Sequence, residues 1–427
     1  MNKTIRPAKR IQGSITVPGD KSISHRALLL GALADGTTVI SNLSPGKDVY
    51  STRTCLIQLG IPIHSAQNVT VVTGKGLHGL QPAMAPLDAG NSGTTIRLLS
   101  GILAAQAFSS GITGDTSLRR RPMNRIMIPL RQMNADIETS PGGFAPLTIH
   151  GKPLTGIDYT LPVPSAQIKS CILLAGLFAS GITRITEPAQ SRDHTERMFP
   201  QFGVPVRIHP LTVEIEQASN LYPCAIDVPG DLSSAAYFIA AASMVPDSHL
   251  TIQHVGINPT RSGILGVMQK AGGSILEQNL HLKSGEPAAD LTIRSGGLQG
   301  IEISGEWIPR LIDEIPVLAV LATQAAGRTV VRDAKELRVK ETDRIAAIAD
   351  NLRAMGVVVE MLEDGFVLEG PQKLKGASID SRDDHRIAMA FSIAGLIADG
   401  ETQIRHSECV DISYPGFFET LEKITDA

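Results

Sequence analysis

Clusters of cations, set among hydroxyls and carboxylates, recur along the chain, and the chemistry they suit is the holding of small anions. In Asp20-Lys21-Ser22-Ile23-Ser24-His25-Arg26, Ser22 and Arg26 lie four apart and share one face of a helix. Lys21 stands at that helix's start, where the positive end of the dipole disfavours a cation unless an anion lies against it. Asn91-Ser92-Gly93-Thr94-Thr95-Ile96-Arg97 offers a glycine that lets a ligand approach the backbone closely, with Arg97 spaced to buttress the turn. The run Arg119-Arg120-Arg121, stiffened by Pro122, can turn one guanidinium inward to grip a carboxylate or phosphate with two parallel hydrogen bonds. Ser165-Ala166-Gln167-Ile168-Lys169 opens an apolar helix with hydroxyl, amide and ammonium groups, and Ser191-Arg192-Asp193-His194 is a short polar loop.

Further on, Asp313-Glu314-Ile315-Pro316 sets two carboxylates before an apolar run, a pattern that also fits helix capping. In Leu337-Arg338-Val339-Lys340-Glu341-Thr342-Asp343-Arg344, Lys340 and Arg344 are expected on one face of a helix over 339–355, with Glu341 beside them. Asp384-His385-Arg386 again brings a cation to the start of an apolar helix. Taken singly, each turn is an ordinary cap. Taken together, the cations point to small polyanionic substrates in a chain whose formal net charge is -3.

These turns recur roughly every 65 to 80 residues, six times, each leading into a helix of small apolar residues. The helices run through Ala27–Leu33, Leu98–Ala105, Cys171–Leu177, Ala235–Ala242, Val317–Ala326 and Ala388–Ile397. Short alternating runs such as Asn68–Val72, Val213–Glu216 and Gly365–Glu369 are expected to be strands. The reading is an α/β chain of repeated units, three to a domain. At 427 residues the chain is long for a single hydrophobic core. Helix starts that face one cleft would present amides and positive dipole ends to an anion there.

Several function classes fall away. The charge balance argues against a nucleic-acid binder that relies on global positive charge. No apolar run is long enough for a membrane span, and residues 1–18 contain no signal-like apolar stretch. The four cysteines are scattered, which fits a reducing cytoplasm. No Walker loop, no G-x-G-x-x-G and no metal-ligand spacing is present, so no cofactor and no metal are expected.

The segments P-G-D-K-S-I-S-H-R, G-N-S-G-T, R-R-R-P-M, S-A-Q-I-K-S, R-D-H-T-E-R, L-R-V-K-E-T-D-R and D-H-R-I-A-M-A, in this order, resemble the EPSP synthase family along nearly the whole chain. The third helix carries S-A-Q rather than S-S-Q, like one bacterial class of that family. The resemblance implies two similar domains, each of three βαβαββ repeats, with the active site in the interdomain cleft. By that analogy one domain spans 20–229 and the other 1–19 plus 230–427. It implies a metal-free and redox-free transfer of the enolpyruvyl group of phosphoenolpyruvate to the 5-hydroxyl of 3-phosphoshikimate, by a monomer in the cytoplasm.

Carried over by motif, Lys21, Ser22, Arg26, Ser165, Gln167, Arg192, Asp313 and Lys340 resemble contacts to 3-phosphoshikimate. Lys21, Gly93, Arg121, Gln167, Arg344 and Arg386 resemble contacts to phosphoenolpyruvate, the site that the family's inhibitor glyphosate would occupy. Asp313 is the candidate base for the 5-hydroxyl. Glu341 and Lys21 both stand as candidates to protonate the methylene. Val410-Asp411-Ile412-Ser413-Tyr414-Pro415 replaces a lysine-bearing stretch of some relatives. Two alternatives are a UDP-N-acetylglucosamine enolpyruvyl transferase and a non-catalytic phosphometabolite-binding protein. The first usually carries a reactive cysteine in the loop that is arginine-rich here.

Overall fold

A computed structural model describes residues 1–426. They form two compact units, each around its own apolar core. The first unit comprises Gly19–Val228 and Leu282–Glu286; the second comprises Met1–Pro18, Pro229–His281 and the chain from Pro287 onward. Within the first unit, Asp227 N donates to Ser284 Oγ at 2.9 Å and Lys283 pairs with Asp227 at 2.8 Å.

The helices of the first unit are α1 (Lys21–Leu33), α2 (Lys47–Gln58), α3 (Gly93–Leu103), α4 (Asn124–Gln132), α5 (Ala166–Gly176) and α6 (His194–Met198). Residues 87–150 run strand, helix, strand, helix, strand, strand, and residues 158–216 repeat that order. Their four-stranded sheets share one topology. Leu87–Asp88 lies parallel to Ser109–Thr113, which pairs antiparallel with Phe144–His150 and so with Asp136–Ser140. Asp158–Thr160, Ile182–Thr186, Thr212–Glu216 and Arg207–His209 follow the same pattern. The third sheet takes its parallel partner, Ala225–Asp227, from the far end of the segment and sets it beside Asp35–Ser41.

In the second unit the helices are α7 (Leu232–Met244), α8 (Gly263–Lys270), α9 (Trp307–Leu311), α10 (Ile315–Ala322), α11 (Arg344–Ala354), α12 (His385–Gly395) and α13 (Phe417–Ile424). Glu302–Ile303, Gly327–Val331, Phe366–Gly370 and Val359–Met361 repeat the four-stranded topology. The remaining sheets draw on distant parts of the chain. Asn2–Ile5 pairs with Thr402–Arg405, and Arg10–Thr16 pairs with both His249–Gly256 and Thr425–Asp426.

Helices α1, α7 and α12 are buried along almost their whole length because small and apolar residues dominate every side; the large polar groups of α1 and α12 sit near their starts, at His25, Arg26, His385 and Arg386. A buried helix must still satisfy its first amides. Asp20, Ser92, Ser165, Asp231, Asp343 and Asp384 each cap one, accepting a hydrogen bond from a first-turn amide.

Two sequence expectations are corrected. The helix expected over 339–355 begins only at Arg344, because Asp343 accepts from Ala346 N at 3.1 Å and so fixes the start there. Lys340 is extended and Glu341 lies in the turn, so Lys340 and Arg344 do not share a helix face. The capping alternative for Asp313-Glu314 is not realised: α10 starts at Ile315 with Pro316 in its first turn and no side-chain capping bond. Among the described residues no helix is long and apolar enough to cross a membrane, and no group of three or more His, Cys, Asp or Glu side chains is placed to hold a metal ion. Burial pushes the Cys55, Cys171 and Cys409 thiols up to about 12, which leaves them protonated and inert.

Candidate active site

In the first unit the starts of four helices are tied into a ring. Lys21 Nζ, opening α1, sits 2.9 Å from Asp48 Oδ2 in the first turn of α2. His25 Nδ1 shares a hydrogen bond of 2.7 Å with Thr52 Oγ1 on α2, and Thr52 shares another of 2.7 Å with Thr95 on α3. Gln167, in the first turn of α5, donates to Thr94 Oγ1 at 3.0 Å and accepts from Arg97 Nη1. Arg26 Nη2 then returns from α1 to Ser170 Oγ on α5 at 2.6 Å. Lys21, Ser22, Arg26, Gly93, Ser165 and Gln167 are thus gathered at neighbouring helix starts, where amides and dipoles favour an anion.

Arg26 is buried, yet its hydrogen bonds run to neutral oxygens: Thr195 Oγ1 at 2.6 Å, Ser170 Oγ at 2.6 Å and Ser22 O at 2.7 Å. Burial pushes this guanidinium down to about 10, with the charge of Arg192 adding to the effect against several carboxylates. Such a buried cation gains stability when an anion arrives. Arg192 lies in the loop before α6 and is part of the same positive field.

Of the three adjacent arginines, Arg119 and Arg120 are exposed at a 3-10 turn, whereas Arg121 is partly buried. Arg121 Nη2 donates to Asn91 Oδ1 at 2.7 Å and to Ser117 Oγ at 3.2 Å. This brings it to the start of α3, where a Cβ built on Gly93 would lie 3.4 Å from Arg121 Nη1 and 3.1 Å from Arg97 Nη1. Arg97, beside Gly93 in its own turn, also reaches across to Gln167.

In the second unit a carboxylate and cation cluster joins the starts of α10, α11 and α12. Arg344 Nε donates to Asp384 Oδ2 at 2.8 Å, and Arg344 Nη2 donates to Glu341 Oε2 at 2.6 Å. Asp313 faces two guanidinium groups, Arg344 at 3.5 Å and Arg386 at 3.6 Å, and Arg386 Nη1 also donates to Asp313 O at 3.1 Å. Burial opposes the Arg344 charge, but Asp384 and Glu341 outweigh it and hold the group above its ordinary range. Arg386 is raised likewise, with Asp313 the chief opponent of burial. Lys340 moves the other way: burial leads in lowering its ammonium, despite Asp313 and Glu336.

The structure therefore groups Lys21, Ser22, Arg26, Gly93, Arg121, Ser165, Gln167 and Arg192 in one unit. It groups Asp313, Lys340, Glu341, Arg344 and Arg386 in the other. Sequence reasoning missed Asp48, Thr195, Ser170 and Asp384, which hold these cations. It also missed the buried network in which Arg261 Nη2 donates to Asp231 Oδ1 at 2.6 Å and Ser233 Oγ donates to Glu314, next to Asp313. The available signal was a charged residue inside an apolar helix start, as at Asp231 and Glu314.

Comparison with known proteins bears directly on this arrangement. The sequence model of EPSP synthase (3-phosphoshikimate 1-carboxyvinyltransferase) matches residues 5–421. The chain belongs to the EPSP synthase family. A 3-phosphoshikimate 1-carboxyvinyltransferase of Brevibacillus brevis is 53% identical over 422 residues, 99% of each chain. One of Bacillus cytotoxicus is 50% identical over 421 residues, 98% of this chain and 99% of the relative. The solved EPSP synthase of Acinetobacter baumannii superposes with a TM-score of 0.89 at 42% identity, covering 99% of this chain and 98% of that one. The enolpyruvyl transferase NikO of Streptomyces tendae superposes at 0.79 with 17% identity, over 99% and 97% of the two chains, and shares the fold. The family assignment does not favour a UDP-N-acetylglucosamine transferase or a non-catalytic binder.

Proposed function

We infer that this chain transfers the enolpyruvyl group of phosphoenolpyruvate to the 5-hydroxyl of 3-phosphoshikimate, releasing phosphate, on the shikimate route to chorismate and the aromatic amino acids. The family match over residues 5–421 carries this reading. The residue roles are our proposal. Lys21, Ser22, Arg26, Ser165, Gln167, Arg192, Asp313 and Lys340 hold 3-phosphoshikimate. Lys21, Gly93, Arg121, Gln167, Arg344 and Arg386 hold phosphoenolpyruvate. Both residue sets serve one reaction, with the domains divided near 20–229 and 1–19 plus 230–427.

Asp313 takes the proton of the 5-hydroxyl as its oxygen attacks the central carbon of phosphoenolpyruvate. The methylene gains a proton from Glu341 or Lys21, giving a tetrahedral intermediate. Collapse breaks the bond to phosphate while a proton leaves the methyl group to a neighbouring base, and this restores the double bond. The fixed guanidinium groups stabilise the charge that builds on the leaving phosphate. Every step is an addition, an elimination or a proton transfer, so no electron acceptor enters the balance. Ser165-Ala166-Gln167 places the chain in the S-A-Q bacterial class, and the enzyme acts as a cytoplasmic monomer.

The test is turnover. Purified protein with both substrates should release phosphate and give a product of the enolpyruvylshikimate 3-phosphate mass. A folded, saturated sample that releases none would refute the reaction.

A further inference from the structure

Beneath the Arg26 site lies a charged cluster that no step of the reaction uses. Lys169 on α5, 1% exposed, places its Nζ 2.7 Å from Glu187 Oε2 and 2.6 Å from Glu196 Oε1. Glu187 and Glu196 are 4% and 2% exposed. One ammonium therefore serves two buried carboxylates. Glu196 Oε2 meets no polar partner among the described residues. Ser191 Oγ donates to Glu187, so the loop from Glu187 to Asp193 is fastened at both ends of the ammonium's reach.

The neighbours of this cluster in sequence are the atoms that aim Arg26. Ser170 follows Lys169 on α5, and Thr195 precedes Glu196 on α6. Ser170 Oγ and Thr195 Oγ1 lie 2.7 Å apart, and each accepts from Arg26 at 2.6 Å. Arg192 lies in the loop that Lys169 fastens. Buried ion clusters rarely add net stability, since desolvation offsets attraction, so fixing a geometry is the reason for one here.

We propose that Lys169 is a positioning residue for the 3-phosphoshikimate site: by holding Glu187 and Glu196 it sets Ser170 and Thr195 so that Arg26 faces that substrate, and it holds the Arg192 loop in register. The proposal rests on the reading of Arg26 and Arg192 as 3-phosphoshikimate contacts. Burial leads in holding Glu196 above the usual carboxylate range, against Lys169, which accords with a cluster short of positive charge. It also leaves a net negative influence beside Arg26, and Glu196 is the largest of the carboxylate effects on that guanidinium.

The decisive variant is Lys169→Met with Glu187→Gln and Glu196→Gln, which removes the link while leaving no uncompensated buried charge. Steady-state phosphate release should show KM for 3-phosphoshikimate raised about tenfold, with KM for phosphoenolpyruvate and kcat changed by less than about twofold. Glu196→Gln alone should move the same constant in the same direction by less, and it decides the matter if the triple variant does not fold. A merely structural role would lower Tm and leave the KM values of the folded fraction alone. Arg26→Ala is run beside them. If Arg26→Ala raises KM for 3-phosphoshikimate and folded cluster variants do not, the positioning role fails and the site reading stands. If none of them changes it, both fail.

Discussion

Replacing Gly93 by alanine adds one methyl group at the start of α3, and the structure says what that group meets. Its nearest neighbours are Arg97 Nη1 at 3.1 Å and Arg121 Nη1 at 3.4 Å, both the far ends of flexible side chains. Gly93 is a helical residue with ordinary backbone angles, so alanine adds no strain and favours the helix by up to about 1 kcal/mol. The protein should therefore fold, with Tm unchanged or slightly raised. The cost falls on the donors. Arg121 must give way by a few tenths of an ångström while it holds Asn91 and Ser117, and Arg97 must do so while it holds Gln167.

A charge-assisted hydrogen bond contributes about 1.5–3 kcal/mol, and misaligning one such bond by half forfeits about 1 kcal/mol. That corresponds to about a fivefold rise in KM for phosphoenolpyruvate. The methyl also occupies space that the ligand uses, which pushes the effect upward. KM for 3-phosphoshikimate should rise by less, because Arg26 and Ser165 are untouched and only Gln167, disturbed through Arg97, is shared with that substrate. Phosphate release at saturating 3-phosphoshikimate and varied phosphoenolpyruvate measures this. An unchanged KM for phosphoenolpyruvate in a folded variant, or an equal rise for both substrates, would show that no ligand lies against this turn.

Asp313→Asn should lower kcat by about 10²–10⁴-fold and weaken 3-phosphoshikimate binding far less, since the amide still hydrogen-bonds but cannot take the proton, as calorimetry of binding beside steady-state rates will show. Arg344→Met should cost about 3–5 kcal/mol of stability, since Asp384 is fully buried and loses its cation. The double variant with Asp384→Asn should recover most of that stability in urea titrations but not activity. Burial, with the charges of Lys21 and Arg26, holds His25 well below its ordinary value of 6.5. Below about pH 6.5 the unfolded chain therefore binds a proton there that the folded chain refuses, and stability falls by about 1.4 kcal/mol per pH unit until the folded pKa is reached. His25→Gln should remove that part of the slope in urea midpoints measured between pH 7.5 and 5.

Much of the architecture was legible because capping and small apolar helices leave strong marks. The turns at Asp20, Ser92, Ser165, Asp231 and Asp384 each lead into a buried helix close to where the pattern placed it. The Arg119–Arg121 run also behaved as its composition suggests, with one guanidinium turned in and two left in solvent. The failures share a cause. Period and spacing describe neighbours along the chain, whereas Asp48, Thr195 and Asp384 meet their cations through contacts 27, 169 and 40 residues away in sequence. Around Lys340 a plausible helical spacing was overridden by a local choice, the cap at Asp343, which pattern reasoning had passed over. At Asp313 the sequence left two readings open, because a carboxylate before an apolar run looks the same whether it caps an amide or faces two arginines.

The sheet that sets Arg10–Thr16 between His249–Gly256 and Thr425–Asp426 has a bearing on how the chain is born. Nearly all of the first unit has been synthesised once residue 228 is made, but the second cannot complete this sheet until residue 426 is added and emerges. At about 5–20 residues per second, that is an interval of roughly 10 to 40 s. Throughout it the strand near the amino terminus must wait without its carboxy-terminal neighbour. The adjacency of Arg10–Thr16 and Thr425–Asp426 means that linking the chain there, and opening it at an exposed loop elsewhere, would bring these two neighbouring strands close together in the order of synthesis.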